Sequence, residues 1–210
     1  RALIQFDLTG NVPSGAVIEN VSLSVFYDRR GPISEGTEVD TFLHRLLQDW
    51  GETGNSEVEL GMGELPQPGD ATWHFAFFDS ENWSVPGGNY ENIPSATQIV
   101  TEVAPAFLTW NSPTLVSDVQ GWVDDPEQNF GWIFIVDESV FGGAIRFLSR
   151  ESSQVDNRPK LTVEYSTDGD PPLEQDLILE GSGTVVGEAI VHPSGNIYNQ
   201  VLLTGQNIKL

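Results

Sequence analysis

Thirty-one carboxylates and three histidines are the residues of this chain suited to moving protons or holding a metal. The histidines are scattered: His44 falls in an alternating segment, His74 follows Trp73, and His192 precedes a Pro-Ser-Gly turn. No Gly-x-Ser-x-Gly elbow presents a serine, and no His-Glu-x-x-His helix offers zinc ligands. With so many acids some pair is always close, so counting alone does not exclude a glycosidase-type carboxylate pair, yet nothing in the spacing singles one out. There is no cysteine, which removes disulfides, thiolate metal sites and thiol catalysis. The expectation is a chain without catalytic activity.

Two other chemistries are worth placing. Ca²⁺ takes several oxygen ligands, and the candidate clusters are Asp124 and Asp125 with Glu127, and Asp137 with Glu138. Their order is not that of a twelve-residue Ca²⁺ loop, and Asp124-Asp125-Pro126 equally reads as a helix-ending turn. Sugars stack on exposed aromatic faces. Trp73, Trp110, Trp122 and Trp132 fall in strand or helix patterns and are expected in the core, whereas Trp50, Trp83 and Tyr90 lie in or beside loops. Those three are the candidate platforms for a carbohydrate; the plainer reading is that each plugs its loop onto the body of the protein.

The elements that would position these residues follow from periodicity. Ala2 to Leu8 is a short apolar strand. Val17 to Tyr27 alternates, with Val21, Leu23, Val25 and Tyr27 on one face. Val39 to Leu47, Ala71 to Phe75 and Gln98 to Val103 read as further strands. Between them, 49–70 is a long loop rich in Gly and Glu, of the kind that is functional or ordered by a metal. Ser112 followed by Pro113 is a helix start, and Leu115, Val116, Val119, Trp122 and Val123 make the apolar stripe. Trp132 to Val136 is continuously apolar, as in a central strand covered on both faces. Ala144 to Leu148 and Lys160 to Tyr165 complete the set.

Composition agrees with an all-β protein: 21 Gly and 13 Pro supply turns, and 39% hydrophobic residues supply a core. A net charge of −22 argues against nucleic acid and anionic membrane, both of which need clustered Arg and Lys. No apolar run approaches the ~18 residues of a membrane span. Residue 1 is Arg, and the chain is expected to be a processed product or a fragment. Residues 167–176 have linker composition. Beyond them, Leu177, Leu179, Val185, Ile190, Val201 and Leu203 mark short β segments with Gly-rich turns. A tail of about 35 residues cannot bury a core alone and must pair with something.

Residues 1–166 resemble the DNRLRE-type domain of secreted bacterial proteins. The stretches that carry the resemblance are RALIQFDL at Arg1, HRLLQDWGE at His44, DATWHF at Asp70, ENWSVPGG at Glu81, VSDVQGW at Val116 and NFGW at Asn129. The last is SRESSQVDNRPKLTVEY at Ser149, containing Asp156-Asn157-Arg158-Pro159. The resemblance implies a jelly-roll β-sandwich, an extracellular or cell-surface location, and kinship with carbohydrate-binding modules. The four signature residues have a structural reading, with Arg158 held by a carboxylate or carbonyl and Pro159 starting the last strand. Relative to the domain type, the chain lacks opening strands and carries surplus closing ones. Two functions are therefore expected: a structural or adhesive subunit whose tail (177–210) pairs onto a neighbouring copy, or a module binding an alginate-like polysaccharide.

Overall fold

The computed structural model describes residues 1–30, 38–53, 65–100, 104–139, 144–167, 186–191, 197–204 and 208–209. It is an all-β sandwich with a single α-helix among the described residues. One sheet contains β1 (Ala2–Phe6), β3 (Val39–Arg45), β6 (Ala96–Val100), β8 (Trp132–Val136) and β13 (Ile208–Lys209) in the order β13-β1-β8-β3-β6. The other contains β2 (Val17–Arg30), β7 (Ala106–Asn111), β10 (Lys160–Ser166), β11 (Val186–Val191) and β12 (Ile197–Thr204) in the order β11-β12-β10-β2-β7. The short β9 (Ile145–Phe147) also pairs with β2, and β4 (Phe75–Phe77) forms a small hairpin with β5 (Glu81–Asn82). The strand pairings described are all antiparallel.

The alternation of β2 builds the core from one side: Val21, Leu23, Val25 and Tyr27 are all buried. They meet Ile4, Phe6, Leu43, Trp132 and Phe134 from the facing sheet. The rings of Trp110 and Phe134 touch across the gap at 5.2 Å. Helix α1 (Pro113–Asp124) seals this core with Leu115, Val119, Trp122 and Val123. Its start is set as the sequence dictates: the Ser112 hydroxyl accepts from Leu115 N, and Pro113 occupies the first turn.

β8 is buried on both faces, as its continuous apolar run requires. Trp132 and Phe134 face the main core, while Ile133 and Ile135 join a second cluster with Leu46, Trp50, Ala76 and Trp83. The Asn129-Phe130-Gly131-Trp132 stretch is the junction of these layers. Asn129 Nδ2 donates to Phe6 O, Phe130 O accepts from Trp50 Nε1, and Gly131 O accepts from Leu46 N. Trp132 Nε1 donates to Asp118 on the helix.

Three boundaries differ from the expectation. The strand expected at Ala71–Phe75 begins only at Phe75, because Trp73 and His74 sit in a bend. The strand expected to run to Val103 ends at Val100, and 101–103 lie outside the described residues. Strand β7 was not anticipated, although Leu108 and Trp110 alternate inward along it.

Candidate functional site

The structure separates the two readings of the loop aromatics and reverses the expectation for Trp73. Trp50 and Trp83, by sequence either sugar platforms or loop plugs, are 1% and 5% exposed. Each lies over the outer face of β8 and spends its indole N–H on a backbone carbonyl, Phe130 O at 2.9 Å and Thr72 O at 2.8 Å. They plug loops and offer no face to a sugar. Tyr90 is half-buried, bridges to Leu46 and lies 5.0 Å from the His44 ring. Trp73, expected in the core, is 51% exposed. The Arg1 guanidinium sits 4.7 Å from its ring centre, and a bidentate pair with Glu138 (2.8 and 2.9 Å) holds that guanidinium in place.

The carboxylates proposed for Ca²⁺ do not converge, because each has a local task. Asp124 accepts from Gln120 Nε2 at 3.0 Å, and Asp125 caps the helix through its N–H to Gly121 O. Glu127 lies in the 3-10 turn Pro126–Gln128. Asp137 accepts from Ser139 N and Oγ, and Glu138 is held by Arg1. Among the described residues no group of three or more His, Cys, Asp or Glu is arranged to hold a metal. The long loop is tied at its base by Asp70, which accepts from Thr53 N, Thr53 Oγ1 and Gln67 N. Residues 54–64 of it lie outside the described residues.

The Asp156-Asn157-Arg158-Pro159 signature is structural in its described contacts. Val155–Asn157 form a 3-10 turn, Asn157 Nδ2 donates to Gln154 Oε1, and Arg158 Nε donates to Ser152 O at 2.9 Å. Pro159 is buried and delivers the chain into β10.

The sequence reading missed a buried carboxylate, Asp118, 6% exposed on the apolar face of α1. Its Oδ2 accepts from Ser95 Oγ at 2.6 Å and Trp132 Nε1 at 2.9 Å, and Arg45 Nε stands 3.7 Å from Oδ1. Burial raises the Asp118 pKa above the ordinary value against the pull of these donors. The signal was available: Asp118 is three residues after Leu115 and four before Trp122, inside the stripe.

Two features remain as candidate sites. The first is the tail. Of the residues expected to mediate assembly, Leu177, Leu179 and Val185 lie outside the described residues. Ile190 falls in β11, and Val201 and Leu203 in β12, at the positions opposite Val163 and Leu161 of β10. β12 pairs with β10 over six positions, and β13 pairs with Gln5 and Phe6 of β1. The tail thus takes a place in both sheets. The second is a cleft of about 660 Å³ beside the end of α1, where the loop after β1 meets Asn129, Glu52 and Arg150. Comparison with protein-family models, with curated proteins and with solved structures gave no match for this chain.

Proposed function

We propose that this chain is a non-catalytic extracellular building block that assembles by exchanging its C-terminal strands between copies. The observation that supports it best is the seating of the tail. β12 lies against β10 in unbroken register, and β13 adds to β1, the strand beside it in the other sheet. Without those strands β10 and β1 would each present an open row of backbone donors and acceptors. The same ladders form equally well when the tail comes from a second copy, which is β-augmentation between identical chains. Residues 168–185 separate the body from β11; eighteen residues span up to about 60 Å when extended, far enough to reach a neighbour. Head-to-tail exchange that does not close produces a filament. The resemblance to a secreted domain type supports the extracellular location.

The test is to refold the full chain at about 1 mM and at about 1 µM, concentrations on either side of a tethered tail's effective concentration. Mass is then read by light scattering, with negative-stain images of the same fractions. A variant ending at residue 167 is treated alongside. Oligomers that form only at high concentration and only with the tail are the expected result. A monomer under every condition sinks the reading.

A further inference from the structure

We infer that Gln200 sets the register in which the tail seats on the body, through a row of alternating amide and carboxylate residues across four strands. The inference rests on the proposed exchange only for whose tail is seated. Register has to be set whether the tail comes from the same chain or from a second copy.

The row follows from the pairings. Asn20 of β2 stands opposite Glu164 of β10, Glu164 opposite Gln200 of β12, and Gln200 opposite Glu188 of β11. Glu164 thus has an amide residue on either side, and Gln200 has a carboxylate residue on either side. Within the body, Asn20 Nδ2 donates to Glu164 Oε2 at 3.4 Å. A carboxylate only accepts, whereas a glutamine amide carries two N–H donors, one for each neighbouring acid.

The apolar pattern alone leaves the register open. Leu161 and Val163 of β10 are fully buried, and Leu203 and Val201 of β12 stand opposite them. A slip of one residue would turn Val201 and Leu203 to the outer face, so the core forbids it. A slip of two residues keeps both on the core face, and the core does not forbid it. The outer face tells these registers apart. In the observed register Glu164 meets Gln200. A slip of two one way brings Leu202 opposite Glu164, and the other way brings Tyr198. Either slip takes the amide away from a half-buried carboxylate.

The row also selects the partner. A strand with an acid at the Gln200 position would set like charges opposite each other beside β10, which destabilises a sheet. On a chain of net charge −22, with 31 acids against 9 Lys and Arg, strands free of that conflict are those that carry an uncharged donor at this one place. The occupant the row fits is the tail of another copy of this chain.

The experiment is disulfide trapping in the full chain, which has no cysteine of its own. Thr162→Cys with Leu202→Cys reports the observed register. Thr162→Cys with Thr204→Cys, and Lys160→Cys with Leu202→Cys, report slips of two in the two directions. Directly opposite positions lie within the Cα separation a disulfide accepts, and diagonal ones lie beyond it. Each pair is refolded at about 1 µM and about 1 mM, on either side of a tethered tail's effective concentration, and oxidised with glutathione. Link formation is then read by mass spectrometry. The pairs are placed in the native background, in Gln200→Glu, in Gln200→Leu, and in the triple variant Glu164→Gln, Gln200→Glu, Glu188→Gln, which restores the alternation with the roles reversed. Circular dichroism checks that each folds.

The expected result is a link between 162 and 202 that forms at least about tenfold faster than either slipped link. Gln200→Glu and Gln200→Leu each cut that preference at least about threefold, the scale of one cross-strand pair, and the triple variant recovers it. A preference that survives either single substitution in a folded protein overturns the inference, as does a triple variant no better than Gln200→Glu. Two single variants keep the test decisive should one fail to fold. Links that stay within one chain at both concentrations would sink strand exchange and leave the register assignment standing.

Discussion

Trp132 Nε1 donates to Asp118 Oδ2 at 2.9 Å, tying the central strand β8 to helix α1 through a carboxylate buried in the stripe that should be apolar. Removing it in Asp118→Ala strands the Ser95 hydroxyl and the Trp132 indole. The expected loss is about 3 kcal/mol by urea unfolding at pH 7. Asp118→Asn keeps an acceptor and should lose about 1 kcal/mol.

The same carboxyl sets a pH dependence with a defined sign. Burial raises its pKa in the folded state above the ordinary 3.8, so the fold holds the proton more tightly than the unfolded chain does. Its contribution is fully present below pH 3.8 and is lost as pH rises through the raised value. The stability of the native chain minus that of Asp118→Asn should therefore be largest in acid and shrink towards neutrality. A difference that grows with pH contradicts the assignment.

Asp28 and Glu138 act in the opposite sense. Hydrogen bonds from Arg146 and Arg1, respectively, hold their pKa values below the ordinary 3.8 and 4.5. Their stabilisation is present above those values and is lost as pH falls through the lowered ones. Arg146 is the better case, because Nε donates to Asp28 Oδ1 at 2.9 Å and the second nitrogen to Oδ2, joining β9 to β2. Asp28→Asn should cost about 1 kcal/mol at pH 7, and nothing once the native aspartate is itself protonated. Chemical denaturation of both proteins across the acid range reads this directly.

Gly131 and Gly10 share φ +75° but not their surroundings. A Cβ at Gly131 would lie 2.1 Å from Ile4 O, whereas at Gly10 nothing stands within 4 Å. Gly10→Ala should cost only the left-handed backbone penalty, about 1–2 kcal/mol. Gly131→Ala adds a clash with the backbone of β1 and should lose at least about 3 kcal/mol. Equal melting temperatures for the two variants would show that β1 yields freely.

Ser112→Ala removes the acceptor for Leu115 N and the donor to Ser95 O. A cap of this kind is worth about 1 kcal/mol, and the loss should be read as a lower unfolding midpoint with an unchanged slope. Ser112→Asp restores the acceptor and should recover part of it.

How far the sequence could be read is clearest around β8. The helix and β8 were legible to the residue, because a Ser-Pro start and an unbroken apolar run are local signals. That run also stated that β8 is covered twice. The question it raised, what covers the second face, has its answer in Trp50 and Trp83. The sequence leaves both open between sugar platform and loop plug, because a loop folded back over a sheet has no periodicity to reveal it. Trp73 failed for the converse reason: apolar neighbours suggested a strand, but the chain bends there. The cleft was illegible altogether, since Gln5, Ser14, Asn129 and Arg150 lie far apart along the chain and share no motif.

β12 is clamped on both sides, by β10 and by β11, over six positions each. β11 belongs to the same tail, so the pair leaves the body as one hairpin, and departure gives up the ladder to β10 together with the short one between β13 and β1, so a tail once seated stays where it first settled. Assembly built on such a strand shows hysteresis. Chains that folded apart remain apart when concentrated, and chains that folded in company remain joined when diluted, so the history of the sample, more than its present concentration, decides what is found.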